Sequence, residues 1–127
     1  MKKIILDVDP GHDDAVAIMF TLGSSEIEIL GITCVAGNST LDNTSKNALK
    51  ICSFLNRTDI KIYSGCDKPL KRKLVTAAHV HGETGLDHTG DEIIVPKDYR
   101  IENMHAVDFI IKTCIQNIIL LYAQQVH

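Results

Sequence analysis

Four carboxylates fall within eight residues near the amino terminus: Asp7, Asp9, Asp13 and Asp14, set around Pro10-Gly11. So many like charges in one turn are costly unless a cation or a proton compensates. No thiol stands among them, and carboxylates alone suit a hard cation, Ca²⁺ or Mg²⁺. Alternation along an extended strand puts Asp7 and Asp9 on one face. Pro10-Gly11 then turns the chain back, and Asp13 and Asp14 open the next element close to Asp9. The plain alternative is that Asp13 and Asp14 complement a helix dipole while Asp7 and Asp9 end a strand in water. Four acids around a single Pro-Gly turn favour a site over that alternative.

The elements that must position these acids can be read from periodicity. Lys3 to Val8 is a short apolar run closed by acids and Pro10-Gly11, which predicts a buried strand and a tight turn. Asp13 to Leu22 carries Ala15, Ile18, Met19 and Leu22 at helical spacing. Ile27 to Val35 reads as a second strand. The loop Ala36 to Thr40 then leads into a helix ending near Leu55, with Ala48, Leu49, Cys52 and Leu55 on one face. Asp59 to Tyr63 reads as a third strand. The βαβαβ order predicts an α/β fold with a parallel sheet and right-handed crossovers. Such sheets place their sites at the carboxyl ends of the strands, where the acidic turn stands. From Ser64 to about Glu102 periodicity fails, and a loop of that length inside a small domain is usually functional or disordered. Helical spacing resumes from Asn103 to Cys114.

Composition narrows the function classes. The 127 residues are 45% hydrophobic and 23% charged, with a formal net charge of −3. These values suit one globular domain and give no reason to expect nucleic acid or an anionic membrane as a partner. The four cysteines, Cys34, Cys52, Cys66 and Cys114, form no C-x-x-C pair and have no zinc-ligand spacing. Cys34, Cys52 and Cys114 lie among apolar residues and read as small buried hydrophobes. No signal-peptide core and no membrane-spanning stretch is legible, so a cytoplasmic location is expected.

The run Asp7-Val8-Asp9-Pro10-Gly11-His12-Asp13-Asp14-Ala15 resembles the signature of the inosine–uridine-preferring nucleoside hydrolases. Val35-Ala36-Gly37-Asn38 resembles the family's V-x-G-N segment. Val80-His81-Gly82-Glu83-Thr84-Gly85-Leu86-Asp87 resembles its loop motif, and His105 to Ile111 its next helix. Leu55 to Ile60 is a weaker match to the helix-to-strand junction of bacterial members. The likeness extends from residue 1 to about 116.

The resemblance implies a Rossmann-like nucleoside hydrolase core, here truncated, that cleaves the N-glycosidic bond of ribonucleosides with a calcium-activated water. By motif, Asp9 and Asp14 would be Ca²⁺ ligands with Asp7 in support. Asp9 would also be the general base. Asp13 and Asn38 would hydrogen-bond the ribose hydroxyls. His81, the other catalytic candidate, would lie at the nucleobase end of the pocket. Relatives are commonly dimers or tetramers, so homo-oligomerisation is expected of a full-length protein. The mechanism is physically coherent. Hydrolysis at the anomeric carbon passes through an oxocarbenium-like state that needs an aimed water and nearby negative charge.

Residues 1–127 are thus expected to be the amino-terminal portion of one hydrolase domain, family-like over 1–116 with an aberrant tail over 117–127. Family members are more than twice as long and draw further ligands from the missing part. Codons chosen to fit Ile119 to His127 give, when read two bases later, the family's next strand nearly intact, which motivates the hypothesis of a frameshift just before Ile119. The tail would then be an apolar stretch without a partner, leaving a polypeptide unstable or inactive alone. Two other classes compete. An aspartate-based phosphotransfer enzyme of the haloacid dehalogenase type also places D-x-D after its first strand, but Pro10-Gly11 followed by Asp13-Asp14 does not fit it. A non-catalytic remnant or binding fragment is the second.

Overall fold

In the computed structural model, residues 1–71, 73–76, 93–117 and 121–124 are described, the last four as backbone. Strand β1 (Lys2–Val8) is exposed over its first two residues and buried over the last five. It is an interior strand, and burial on both faces explains why its sequence is a continuous apolar run rather than an alternation. On one side it pairs in parallel with β2 (Ile27–Cys34), which pairs in parallel with β3 (Ile62–Ser64). On the other side it pairs in parallel with β4 (Leu121–Gln124). The strand order is therefore β3-β2-β1-β4.

Helices cover both faces. α1 (His12–Leu22) and α2 (Leu41–Phe54) bury Ala15, Ile18, Ala48, Leu49, Ile51 and Cys52 against Leu6, Val8, Ile32 and Cys34. α3 (Ala106–Gln116) lies on the opposite face, where Ala106 and Phe109 meet Ile5 and Tyr63. This split follows from chirality. The chain steps outward from β1 to β3 and then returns past β1 to β4. If every crossover keeps one hand, reversing direction moves the connecting helix to the other face. Close approach of α3 requires Gly31, since a Cβ there would lie 2.6 Å from Phe109 Cζ. The Phe109 ring stacks on Tyr63 with centroids 3.8 Å apart and planes 9° from parallel.

Local chemistry sets the ends of the elements. Thr40 caps α2 by accepting from the Asn43 N–H, and His105 caps α3 through Nδ1, which accepts from the Val107 N–H at 3.1 Å. α2 ends where Asn56 takes φ 56° and the Arg57 N–H returns to the Cys52 carbonyl at 2.8 Å, a left-handed terminator. Part of the long connection packs along β3. The buried Tyr99 hydroxyl donates to the Ile60 carbonyl at 2.5 Å, and the Glu102 N–H donates to the Ile62 carbonyl at 2.8 Å.

Several expectations change. The tail does not lack a partner, because Leu121–Gln124 bond to Ile4–Asp7; an apolar segment beside an open edge satisfies its backbone by joining the ladder. β3 is later and shorter than the apolar pattern suggested, and α3 starts at Ala106 because His105 provides the cap. Cys34 and Cys52 are buried as expected, whereas Cys114 is exposed on the outer side of α3. Met19 and Leu55 are only partly covered, since α1 and α2 each bury a narrower stripe than the spacing implied. Among the described residues no helix is long and apolar enough to cross a membrane.

Candidate active site

The order β3-β2-β1-β4 reverses direction at β1, and open α/β sheets bind ligands outside the carboxyl ends of the strands at such a reversal. The residues just beyond β1 are Asp9, Pro10 and Gly11, so the acidic turn occupies that crevice position. β1 ends at Val8, which makes Asp9 a turn residue whose direction strand alternation no longer sets.

Asp9 is held from several sides. Its N–H donates to Asp14 Oδ2 at 3.1 Å, which ties the strand end to the first turn of α1. Its Oδ2 accepts from the Asn38 N–H at 2.9 Å, and its carbonyl accepts from Asn38 Nδ2 at 2.8 Å. Asn38 thus engages Asp9 through both backbone and side chain. Gly37 permits this approach, because a Cβ on it would stand 2.0 Å from Asp9 Oδ2. The segment carrying Gly37 and Asn38 follows β2 directly, with the Val35 N–H continuing the ladder to the Val8 carbonyl at 3.1 Å.

Asp7 lies in register with Thr33, whose hydroxyl donates to Asp7 Oδ1 at 2.5 Å. Both are buried, on the sheet face that α3 covers. Asp14 is fully buried and Asp9 and Asp7 are each 6% exposed, whereas Asp13 is exposed on the first turn of α1. The structure therefore brings Asp9, Asp14 and Asn38 together, sets Asp7 two residues before Asp9 on β1, and leaves Asp13 facing solvent. His81 lies outside the described residues. The buried negative charge reaches the neighbouring Cys34, whose thiol is pushed far up by burial first and then by Asp7, Cys52 and Asp14.

The donor set has the chemistry of a hard-cation site, with carboxylate oxygens in a partly dehydrated turn and no thiolate. Among the described residues no three His, Cys, Asp or Glu side chains converge as a metal-holding group. A depression of about 590 Å³ opens at the amino end of the sheet, bounded by Met1, Ile27, Glu28, Lys61 and Phe109, and none of Asp7, Asp9, Asp13 and Asp14 lines it. This hollow and the acidic turn thus stand at opposite ends of the strands, and fold topology favours the acidic end.

Three contributors escaped the sequence reading: Gly37 as a close-approach glycine, Thr33 as the partner of Asp7, and Asn47. The Asn47 Nδ2 donates to the Pro10 carbonyl at 3.1 Å. Its one signal in the sequence is a polar residue on the buried face of an amphipathic helix.

The model of the family described as inosine-uridine preferring nucleoside hydrolase matches residues 4–123. A pyrimidine-specific ribonucleoside hydrolase, RihB of Escherichia coli, is 47% identical over 112 residues, covering 88% of this chain and 34% of that protein. The inosine-uridine preferring nucleoside hydrolase of Crithidia fasciculata is 46% identical over 112 residues, covering 87% and 34%. Among solved structures, a purine-preferring ribonucleoside hydrolase from Gardnerella vaginalis superposes with a TM-score of 0.83 at 34% identity, over 98% of this chain and 40% of that one. A parallel α/β sheet with carboxylates at its reversal point defines the class, and the chain belongs to the inosine-uridine preferring nucleoside hydrolase family. It spans 34% of the length of these curated relatives.

Proposed function

We propose that the chain contributes the amino-terminal part of a site that hydrolyses the N-glycosidic bond of ribonucleosides, giving ribose and free base. The observation that carries this reading is the Asp9–Asn38–Asp14 assembly just beyond β1. Water attacks the anomeric carbon, the bond to the base nitrogen breaks, and the base leaves with its electron pair. Asp9 acts as the general base toward that water. Its carboxylate is aimed in advance by the Asn38 N–H and by the space at Gly37, so little reorganisation accompanies proton transfer. The negative charge of Asp9 and Asp14, with Asp7 behind them, stabilises the positive charge that develops on the sugar. Asp13, exposed at the start of α1, reaches the ribose hydroxyls, and the Asn38 amide borders them. His81 serves the nucleobase end.

The implied cofactor is Ca²⁺. Asp9 and Asp14 would hold it, with Asp7 in support, and their hard oxygens fit it in chemistry. Ca²⁺ takes about 6–8 oxygen ligands, so these residues supply only part of its shell. Bound there, it would lower the pKa of a neighbouring water and orient the ribose diol. The relatives' names span pyrimidine-specific and purine-preferring enzymes, so the proposed substrate class is ribonucleosides without a chosen base.

A chimera tests the reading. Residues 4–123 replace the matching third of RihB, and ribose release from uridine and inosine is followed with and without a calcium chelator. The expected result is release that stops with chelator, returns with Ca²⁺, and falls about a thousandfold in the Asp9→Asn version. Equal release by the chimera with and without Asp9→Asn overturns the assignment. Release of phosphate from nucleotides instead would favour the phosphotransfer alternative.

A further inference from the structure

We propose that Asn47, on α2, is the positioning residue that sets where the acidic turn stands. Pro10 is fully buried at the centre of that turn. Its carbonyl precedes the first helical bond of α1, which runs from the Ala15 N–H to the Gly11 carbonyl, so the helix offers it no donor. Pro10 has no N–H of its own to spare for the turn. The donor comes from 37 residues away, where the Asn47 side-chain amide, 1% exposed, meets the Pro10 carbonyl at 3.1 Å. Asn is a poor helix former and its amide is costly to bury, so the cost of placing one on the buried face of α2 must be offset by the bonds it makes, the one to Pro10 among them.

The placement is not isolated. One turn earlier, the buried Thr44 hydroxyl lies 2.9 Å from the Val35 carbonyl, where the segment carrying Gly37 and Asn38 leaves β2, and 3.1 Å from the Leu41 carbonyl of its own helix, and it can donate to either. The buried Ser45 hydroxyl lies 2.6 Å from that of Ser64 at the end of β3. The amino-terminal half of α2 thus presents three buried polar side chains, each to the carboxyl end of a different strand or the turn that follows it. Asn47 is the member that reaches the turn itself. Because Pro10 is bonded covalently to Asp9, and the Asp9 N–H holds Asp14, fixing the Pro10 carbonyl fixes both carboxylates.

The catalytic meaning of this role rests on the hydrolase reading; the physical claim does not, and its test contains neither nucleoside nor cation. Amide hydrogen exchange is measured by NMR on the 127-residue chain, on Asn47→Leu, which is similar in size without a donor, and on a Lys46→Ala control. Removing the partner of one buried carbonyl should raise local opening of the turn roughly tenfold or more. The expected result is that the Asp9 and Asn38 amides lose at least tenfold of their protection in Asn47→Leu. The strand amides of Leu6 and Ile32 should change less than threefold, and Lys46→Ala should leave all four unchanged. Equal loss at all four amides shows a general structural role and overturns the proposal, as does unchanged protection at Asp9 and Asn38. If Asn47→Leu does not fold, Asn47→Ser, a milder truncation, is judged by the same selective criterion. Failure here leaves the hydrolase reading standing, and an inactive chimera leaves the exchange result standing.

Discussion

Adding one methyl group at Gly37 should displace the proposed general base from behind. The added Cβ would lie 2.0 Å from Asp9 Oδ2, 2.8 Å from its Cγ and 3.1 Å from its Cβ. Non-bonded carbon contacts settle near about 3.5–4.0 Å, so the carboxylate must retreat by roughly 1.5 Å. That retreat carries Oδ2 out of hydrogen-bonding range of the Asn38 N–H, now 2.9 Å away. A buried hydrogen bond to a charged group contributes about 1.5–3 kcal/mol, and overpacking costs about 1–3 kcal/mol. The two overlap, because one displacement causes both. Gly37 does not occupy the left-handed region, so alanine adds no backbone strain and recovers about 0.4–1 kcal/mol from the unfolded chain. The net expectation for Gly37→Ala is a loss of about 2–3 kcal/mol, seen as a urea midpoint lower by roughly 1–2 M. Asp9→Ala removes the atoms at 2.0 and 2.8 Å and leaves only the contact at 3.1 Å. In that background Gly37→Ala should cost less than about 1 kcal/mol. A cost below about 0.5 kcal/mol in the parent chain, or an equal cost in both backgrounds, would refute the steric argument.

Thr33→Val keeps the shape of the β2 side chain and removes the hydroxyl that serves the buried Asp7 carboxylate, so equilibrium unfolding should show a loss of about 2–3 kcal/mol. Tyr99→Phe leaves the Ile60 carbonyl without that donor, and about 1–2 kcal/mol should be lost while β1 amides keep their order of exchange protection. Thiol titration with a disulfide reagent should label Cys66 and Cys114 quickly, and Cys34 and Cys52 only on unfolding. Burial pushes the Cys52 thiol up to about 11, a raised folded-state value. Its contribution is therefore complete below the unfolded value near 8.5 and is lost as pH rises toward 11, by up to about 1.4 kcal/mol per pH unit. Urea midpoints at pH 8 and pH 10 should differ more in the parent than in Cys52→Ala; identical slopes would count against it. The exposed Arg57–Asp59 pair lowers the Asp59 pKa chiefly through its hydrogen bond, so its small contribution is present at neutral pH and fades as pH falls through the folded value. Screening keeps that contribution below about 1 kcal/mol in an Arg57→Ala comparison.

Some features were legible because they depend on neighbours in the chain. The run Lys3 to Val8, the Pro10-Gly11 turn and the acids opening α1 are local signals, and the elements formed where those signals stand. The alternation of strand and helix predicted a parallel sheet for the same reason, since short connections leave a chain of this pattern few topologies. The acidic turn stood out as a candidate site because its residue types are costly to crowd without compensation, whatever surrounds them.

Tertiary packing decided the rest. Strand order, with β4 beside β1, depends on which edge remains open once β2 and β3 have paired, and the apolar tail carries no mark of that choice. Asp9 meets Asn38 across 29 residues, Thr33 meets Asp7 across 26, and Asn47 meets Pro10 across 37. Each contact requires a particular sheet register and a particular seat for α2, and a one-residue slip in either would separate the partners. The sequence by itself determined which groups carry charge and where the chain turns, because those properties belong to residues and their immediate neighbours. Only the folded sheet decided which carboxylate is buried, which is exposed, and which distant backbone or side-chain group holds it, because those depend on distances that exist only once the elements pack.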